Sequence, residues 1–300
     1  MNKFSFLYLI SCYAVASIFT LTNNISLEYQ IISSLILIVV FGIPHGAIDN
    51  VILQSEIKIS SHKFYSLYIL SILLYLLCWV ISPIYSFCFF LLISAYHFGE
   101  SQFANYKILS KTKKPLYMLW GTALMSTLFF YNESELCDLM LSFEDTKKLT
   151  YVFDNNAIQY TFYISNCTTL LYLIHLFLKK RIESSILSNE LFQLFLLHIT
   201  FYLFPVIISF TLYFVFLHSI KVLKQEYGYL NNYVQKTSFL KFAKMLTPHT
   251  VLSLIFILCF IYMSENEIIN ISVLLFSIIC ISVITLPHSI VMTRFYKKFK

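Results

Sequence analysis

Residues 27–50 read LEYQIISSLILIVVFGIPHGAIDN, and the two parts of this stretch need different explanations. Between Glu28 and His45 there is no charged residue, and the run 27–43 has the composition of a helix crossing lipid. Its end, Gly-Ile-Pro-His-Gly, is what such a helix has least use for. Gly42, Pro44 and Gly46 loosen the helix around His45. Freed backbone at membrane depth is tolerated only where protein buries it or a cavity borders it. Asp49 follows four residues later, on the same helical face if the helix continues. An ionisable residue in a membrane segment is costly, which makes His45 a functional candidate by default.

The whole chain repeats the apolar character of that run. It is 58% hydrophobic and only 12% charged, with a mean hydropathy of +0.74, whereas a soluble domain carries about 25% charged residues. So few charges cannot coat a water-facing surface. Phe (30) and Tyr (22) are abundant and Gly (5) is scarce, which favours long helices over a β-barrel of short alternating strands and frequent turns. The fold class expected is therefore all-α: a polytopic integral membrane helix bundle in a single domain spanning residues 1–300. The N-terminus, with one Lys before apolar sequence and no small-residue cleavage site, reads as a retained first helix. Seven scattered cysteines without a CxxC pair read as small core residues.

Apolar segments fall near 5–22, 27–43, 64–81, 84–98, 116–131, 158–178, 190–204, 206–220, 250–263 and 268–292. These are about ten transmembrane helices, with a range of eight to ten; the break at Pro205 follows from proline's effect on a helix. With the N-terminus inside, nineteen of the twenty-one Lys and Arg residues lie in cytoplasmic loops or termini. The exterior loops hold only Lys147 and Lys148, against Glu133, Glu135, Asp138, Glu144, Asp145 and Asp154. This asymmetry is the positive-inside rule at work, and it accounts for the net charge of +6 without nucleic acid as a partner. It implies a multi-pass protein of the cell (inner) membrane with both termini cytoplasmic.

On this topology His45, His97, His218 and His288 lie at the cytoplasmic ends of the second, fourth, eighth and tenth helices. They come from distant parts of the chain yet share one depth. His97 sits in SAYHFGESQF beside Gly99 and Glu100, so three of the five glycines cluster beside two of the histidines. Converging imidazoles suit a first-row transition metal, non-haem iron or copper. Asp49 or Glu100 is expected to accept the second ring N–H and orient a ligand. His62, His175 and His249 read as interfacial residues, and His198 as a buried hydrogen-bonded one. The aromatic content of 18% would line a tunnel for a long conjugated molecule.

The segments FGIPHGAIDN and SAYHFGESQF, in this order, resemble the Brp/Blh family of bacterial β-carotene 15,15′-dioxygenases. FLHSIKVL and TLPHSIVM look like its third and fourth histidine-bearing segments, so the resemblance runs from position 41 to 292. It implies a membrane enzyme that uses Fe(II) and O2 to split the central double bond of β-carotene into two molecules of retinal. Carried over by position, its iron ligands are His45, His97 and His218, with His288 a further candidate. The retinal product implies a functional link to a retinal-binding rhodopsin. One position departs from the pattern: the family's H-S-x-x-H has Val222 where the second histidine stands.

Two rival classes follow from the same residues. A carotenoid- or metal-binding protein, or a transporter, would show no turnover. Transporters break helices near mid-membrane and often show two related halves, whereas here the breaks lie at helix ends and no repeat is visible. A di-iron desaturase needs several HxxxH and HxxHH boxes, and this chain has none.

Overall fold

The computed structural model describes residues 2–22, 25–106, 108, 110–153, 155–234 and 236–299, so the loop charges Lys107, Asp154 and Lys300 lie outside the described residues. All regular structure among those residues is helical.

The first helices are α1 (Lys3–Thr22) and α2 (Leu27–Leu37). Beyond Leu37 the rod widens into a π-helical turn, Ile38–Gly42, and then tightens into a 3-10 turn, Ile43–Gly46. Only at α3 (Asp49–Ile57) does α geometry resume. Pro44 is the cause: it has no N–H to donate, and its ring clashes with the carbonyl four residues earlier. Next, α4 (Ser61–Ile81) starts at Ser60, whose side chain accepts the Lys63 N–H. Pro83 opens α5 (Pro83–Phe103), at a position where a helix has no use for the missing donor.

After these come α6 (Ser110–Tyr131), a short α7 (Glu133–Leu141), a 3-10 turn Lys147–Phe153 and α8 (Asn155–Leu178). Then α9 (Ser184–Leu203) stops one residue before Pro205, which leads into α10 (Val206–Leu212) as the sequence expects. The rod continues through a π turn at Tyr213–Ser219, α11 (Ile220–Tyr229) and a last π turn at Leu230–Val234. Finally α12 (Phe239–Glu265) and α13 (Val273–Phe295) are followed by a 3-10 turn, Tyr296–Phe299.

Eight helices among the described residues are long and apolar enough to cross a bilayer. The two remaining segments of the sequence reading are α5 and α6, of 21 and 22 residues. They have the length but carry Glu100 and three lysines respectively. The outward faces are those of a protein solvated by lipid: on α4, Leu67, Leu70, Leu73, Leu74, Leu77, Val80 and Ile81 are all exposed. Water would penalise such a stripe; hydrocarbon does not. Cys78, Cys167 and Cys259 are exposed too, so only part of the cysteine set is interior.

The chain divides into two compact units, each made of two separated stretches: Met1–Ile48 with Glu183–Ser253, and Asp49–Ile182 with Leu254–Lys300. In the first unit Tyr8, Phe201, Leu212, Val215 and Leu217 are core residues. Two charges, Glu190 and Lys221, are buried there as well and attract one another. Burial of charge is tolerable only with such compensation.

In the second unit α5 lies directly against α6. A Cβ at Gly99 would stand 1.9 Å from the Tyr117 carbonyl oxygen, and one at Gly121 would stand 1.7 Å from the Ala95 carbonyl oxygen. Each glycine therefore faces the partner helix's backbone, the close approach that small residues permit in membranes. Gly99 thus serves helix packing, and its place next to His97 is a consequence of where α5 meets α6. Elsewhere Trp79 Nε1 donates to Ser282 Oγ at 2.8 Å, joining α4 to α13. The segment 132–153 packs against the helices: Leu136, Met140, Leu149 and Phe153 are buried, and the Ser272 N–H donates to Asp145 Oδ2 at 2.7 Å.

Gly99→Ala and Gly121→Ala should each cost about 1–3 kcal/mol or more, the range of overpacked cores, seen as a lowered unfolding midpoint in detergent. Gly228→Ala is the control: a Cβ there meets nothing within 4 Å. The helix propensity of alanine should make it neutral or stabilising by up to about 1 kcal/mol.

Candidate metal centre

Within the first unit the 3-10 turn at Ile43–Gly46 carries His45, and the π turn at Tyr213–Ser219 carries His218. Both side chains are buried, at 9% and 2% exposure. Their ring centroids are 5.3 Å apart with the planes at 90°. Phe214 completes the group, stacked on His218 at 5.6 Å and edge-on to His45 at 5.6 Å. Gly42 makes room for it, since a Cβ at that position would lie 2.8 Å from Phe214 Cε1. The same glycine's carbonyl accepts from His45 Nδ1. A carbonyl oxygen only accepts, so Nδ1 carries the hydrogen and the lone pair of the neutral ring stands on Nε2.

The second unit holds a corresponding arrangement. His97 on α5 and His288 on α13 are buried, with ring centroids 5.1 Å apart at 73°. His288 Nδ1 lies 3.0 and 3.1 Å from the two oxygens of Asp49, and that carboxylate is itself buried at the start of α3. A carboxylate accepts, so His288 also presents its lone pair at Nε2. Asp49 is thus an orienting carboxylate of the kind the sequence suggests, but the ring it holds belongs to His288, 239 residues away. The ring of His45 is held instead by the Gly42 carbonyl. Glu100, the other expected orienting group, is buried and accepts from Thr293 Oγ1 at 2.5 Å, which ties α5 to α13.

The remaining histidines match the blander reading. His62, His175 and His249 are exposed, and His198 is half-buried on α9. Val222, at the position of the missing histidine, is fully buried on α11. Three features are not legible in the sequence. The π turn around His218 is announced by no glycine or proline between 206 and 227. Phe214 is one of thirty phenylalanines. Tyr68, whose hydroxyl donates to Asp49 Oδ2 at 3.2 Å, is one of twenty-two tyrosines.

The donor set fits a transition metal. Neutral imidazoles are borderline ligands suited to iron, copper or zinc, and acceptors on Nδ1, such as those of His45 and His288, are the usual companions of a ligating Nε2.

A protein-family model described as Beta-carotene 15,15'-dioxygenase matches residues 36–296. That span contains all four buried histidines and Asp49. No curated protein and no solved structure matches the chain.

Gly42→Ala should cost about 1–3 kcal/mol by driving a methyl into Phe214 and Ile38. Adding Phe214→Leu should recover part of that loss, a non-additivity that thermal unfolding of the two single variants and the double variant measures.

Proposed function

The chain belongs to the β-carotene 15,15′-dioxygenase family, and from that premise we propose that it cleaves the central 15,15′ double bond of β-carotene with O2, giving two molecules of retinal. The observation that carries the reading is the pairing of buried imidazoles, His45 with His218 and His97 with His288, three of them inside apolar candidate membrane spans and His97 on α5. Isolated histidines in such segments are expensive; pairs of them, pinned by acceptors on Nδ1, are what a metal site requires.

His45, His97 and His218 are the ligands the family resemblance carries over, and His288 is the fourth imidazole in place of the one that Val222 does not supply. Iron(II) held by neutral imidazoles supplies the one-electron chemistry that lets O2 react with a closed-shell polyene, a reaction otherwise barred by spin. The chain's own residues do the rest. Gly42 and Asp49 hold the rings of His45 and His288 in one tautomer. Glu100 accepts from Thr293, a bond that keeps α5 and its His97 in register with α13. The uncharged donors suit an uncharged hydrocarbon substrate, which enters from lipid and needs no aqueous route. Depth of insertion then selects which double bond is cut. The positive-inside pattern puts this chemistry on the cytoplasmic side of the inner membrane, and a rhodopsin is the natural consumer of the product.

Val222 favours a second reading, a carotenoid- or metal-binding member without cleavage. An aliphatic, fully buried side chain replaces a donor of the family pattern there, so a site with fewer imidazoles would bind without turning over.

Expression in β-carotene-producing cells separates the two. Bleaching with accumulation of retinal is the expected result; cells that stay orange while the protein folds and inserts would refute cleavage. His45→Ala and His97→Ala should each lower both retinal formation and iron content per chain by at least about tenfold, the scale of a lost ligand or its support. Full activity in either variant would overturn the ligand assignment.

A further inference from the structure

The hydrogen-bonded line from Tyr68 to Asp49 to His288 joins three elements of the second unit. Tyr68 is on α4, Asp49 opens α3, and His288 is on α13 beside Pro287. Tyr68 Oη donates to Asp49 Oδ2 at 3.2 Å, and the same carboxylate lies 3.0–3.1 Å from His288 Nδ1 through both oxygens. Phe64, buried one turn earlier on α4, packs against the Tyr68 ring with centroids 5.3 Å apart and fixes its direction. Tyrosine at a membrane interface is ordinarily an anchor with its hydroxyl in water or headgroups. Here the hydroxyl points into the protein, at a carboxylate that is 3% exposed.

We infer that Tyr68 is a positioning residue that acts through Asp49 to hold the His288 imidazole in its Nδ1–H form, with Nε2 presented as the donor. The geometry gives the division of labour. A carboxylate with one acceptor contact can rotate about its Cβ–Cγ bond. Contacts from both Tyr68 and His288 to the Asp49 group restrict that rotation and so the orientation of the ring. Partners of this kind typically change metal affinity by 10–100-fold when removed. Tyr65, three residues earlier on the same helix, is the natural comparison: its exposed hydroxyl accepts from Asn50 Nδ2 at 3.0 Å.

The inference rests on the reading of His288 as a metal ligand, and the test has an arm independent of it. In metal-free protein labelled with 15N-histidine, the His288 ring signals, identified by their loss in His288→Gln, should show the Nδ1–H tautomer. Tyr68→Phe should shift them toward a tautomer mixture, Asp49→Ala should shift them further, and Tyr65→Phe should leave them unchanged. In the second arm, visible absorption of added cobalt(II) should show binding weakened by about 10–100-fold in Asp49→Ala and by a smaller factor, about 3–10-fold, in Tyr68→Phe. The double variant should be no weaker than Asp49→Ala alone, because Tyr68 acts only through that carboxylate. Unchanged ring signals in Tyr68→Phe, equal effects of Tyr65→Phe, or additive losses in the double variant would each overturn the proposal. If the wild-type protein takes up no cobalt, the metal reading fails, and the tautomer arm alone upholds or overturns the role of Tyr68.

Discussion

Inside a bilayer no water completes an unmade hydrogen bond, so each polar group must find its partner in the protein. The rest of this structure depends on that constraint. It explains why every span is helical, and why several polar side chains that enter the helices bond across to another helix. Trp79 has Ser282, Glu100 has Thr293, and His288 has Asp49. Each of these partners stands on a different helix, so the bonds fix how helices meet. Apolar faces alone could slide in lipid, because hydrocarbon solvates a leucine as well as a neighbouring helix does.

The same constraint makes the departures from α geometry informative. A π turn or a 3-10 turn in a membrane segment shifts backbone donors away from their usual acceptors. Two such departures flank the first unit's histidines: the turns at 38–46 around His45 and the turn at 213–219 around His218. In the first, the carbonyl of Gly42 accepts from the His45 ring and so acquires a partner from outside the backbone ladder. The irregularity and the imidazole satisfy one another. An interfacial histidine in a regular helix, such as exposed His175 on α8, has no such relation to its backbone.

Composition and periodicity made the membrane class, the ten apolar segments and the break at Pro205 legible, because each rests on an intrinsic property: transfer free energy in the first two cases, a missing N–H in the third. The burial of His45 and His97 was legible for a related reason, since glycine, proline and acid neighbours mark their helix ends; that cue does not reach His218, which has no such neighbour, and it would mislead at exposed His249, which follows Pro248. Pairing across helices was not legible. Nothing local to Asp49 indicates that its partner is His288, since its spacing of four residues relates it only to His45. The packing role of Gly99 is no more local: its neighbour in sequence is His97, while the fit of its backbone against Tyr117 depends on a helix that begins eleven residues later. Sequence spacing reports a helix's own faces and says little about what packs on them.

Val222 can be understood in the same terms. A second histidine one turn after His218 would bring a further ring nitrogen into a part of α11 that is fully buried, and lipid or protein would have to satisfy it. A metal ion does so at no other polar group's expense; without one, the ring is a liability of several kcal/mol by analogy with any unsatisfied buried polar group. Valine removes that liability and keeps the volume filled. His288 carries the opposite signature, because its second nitrogen is already held by a dedicated carboxylate that is itself braced by Tyr68. The aspartate joins α3 to α13 in any case, and by holding Nδ1 it also leaves Nε2 of that ring as the donor a ligating histidine needs. The bracing of His288 by Asp49 and Tyr68, with an aliphatic residue at 222, is what the proposed site needs if its fourth imidazole comes from α13 and not from α11.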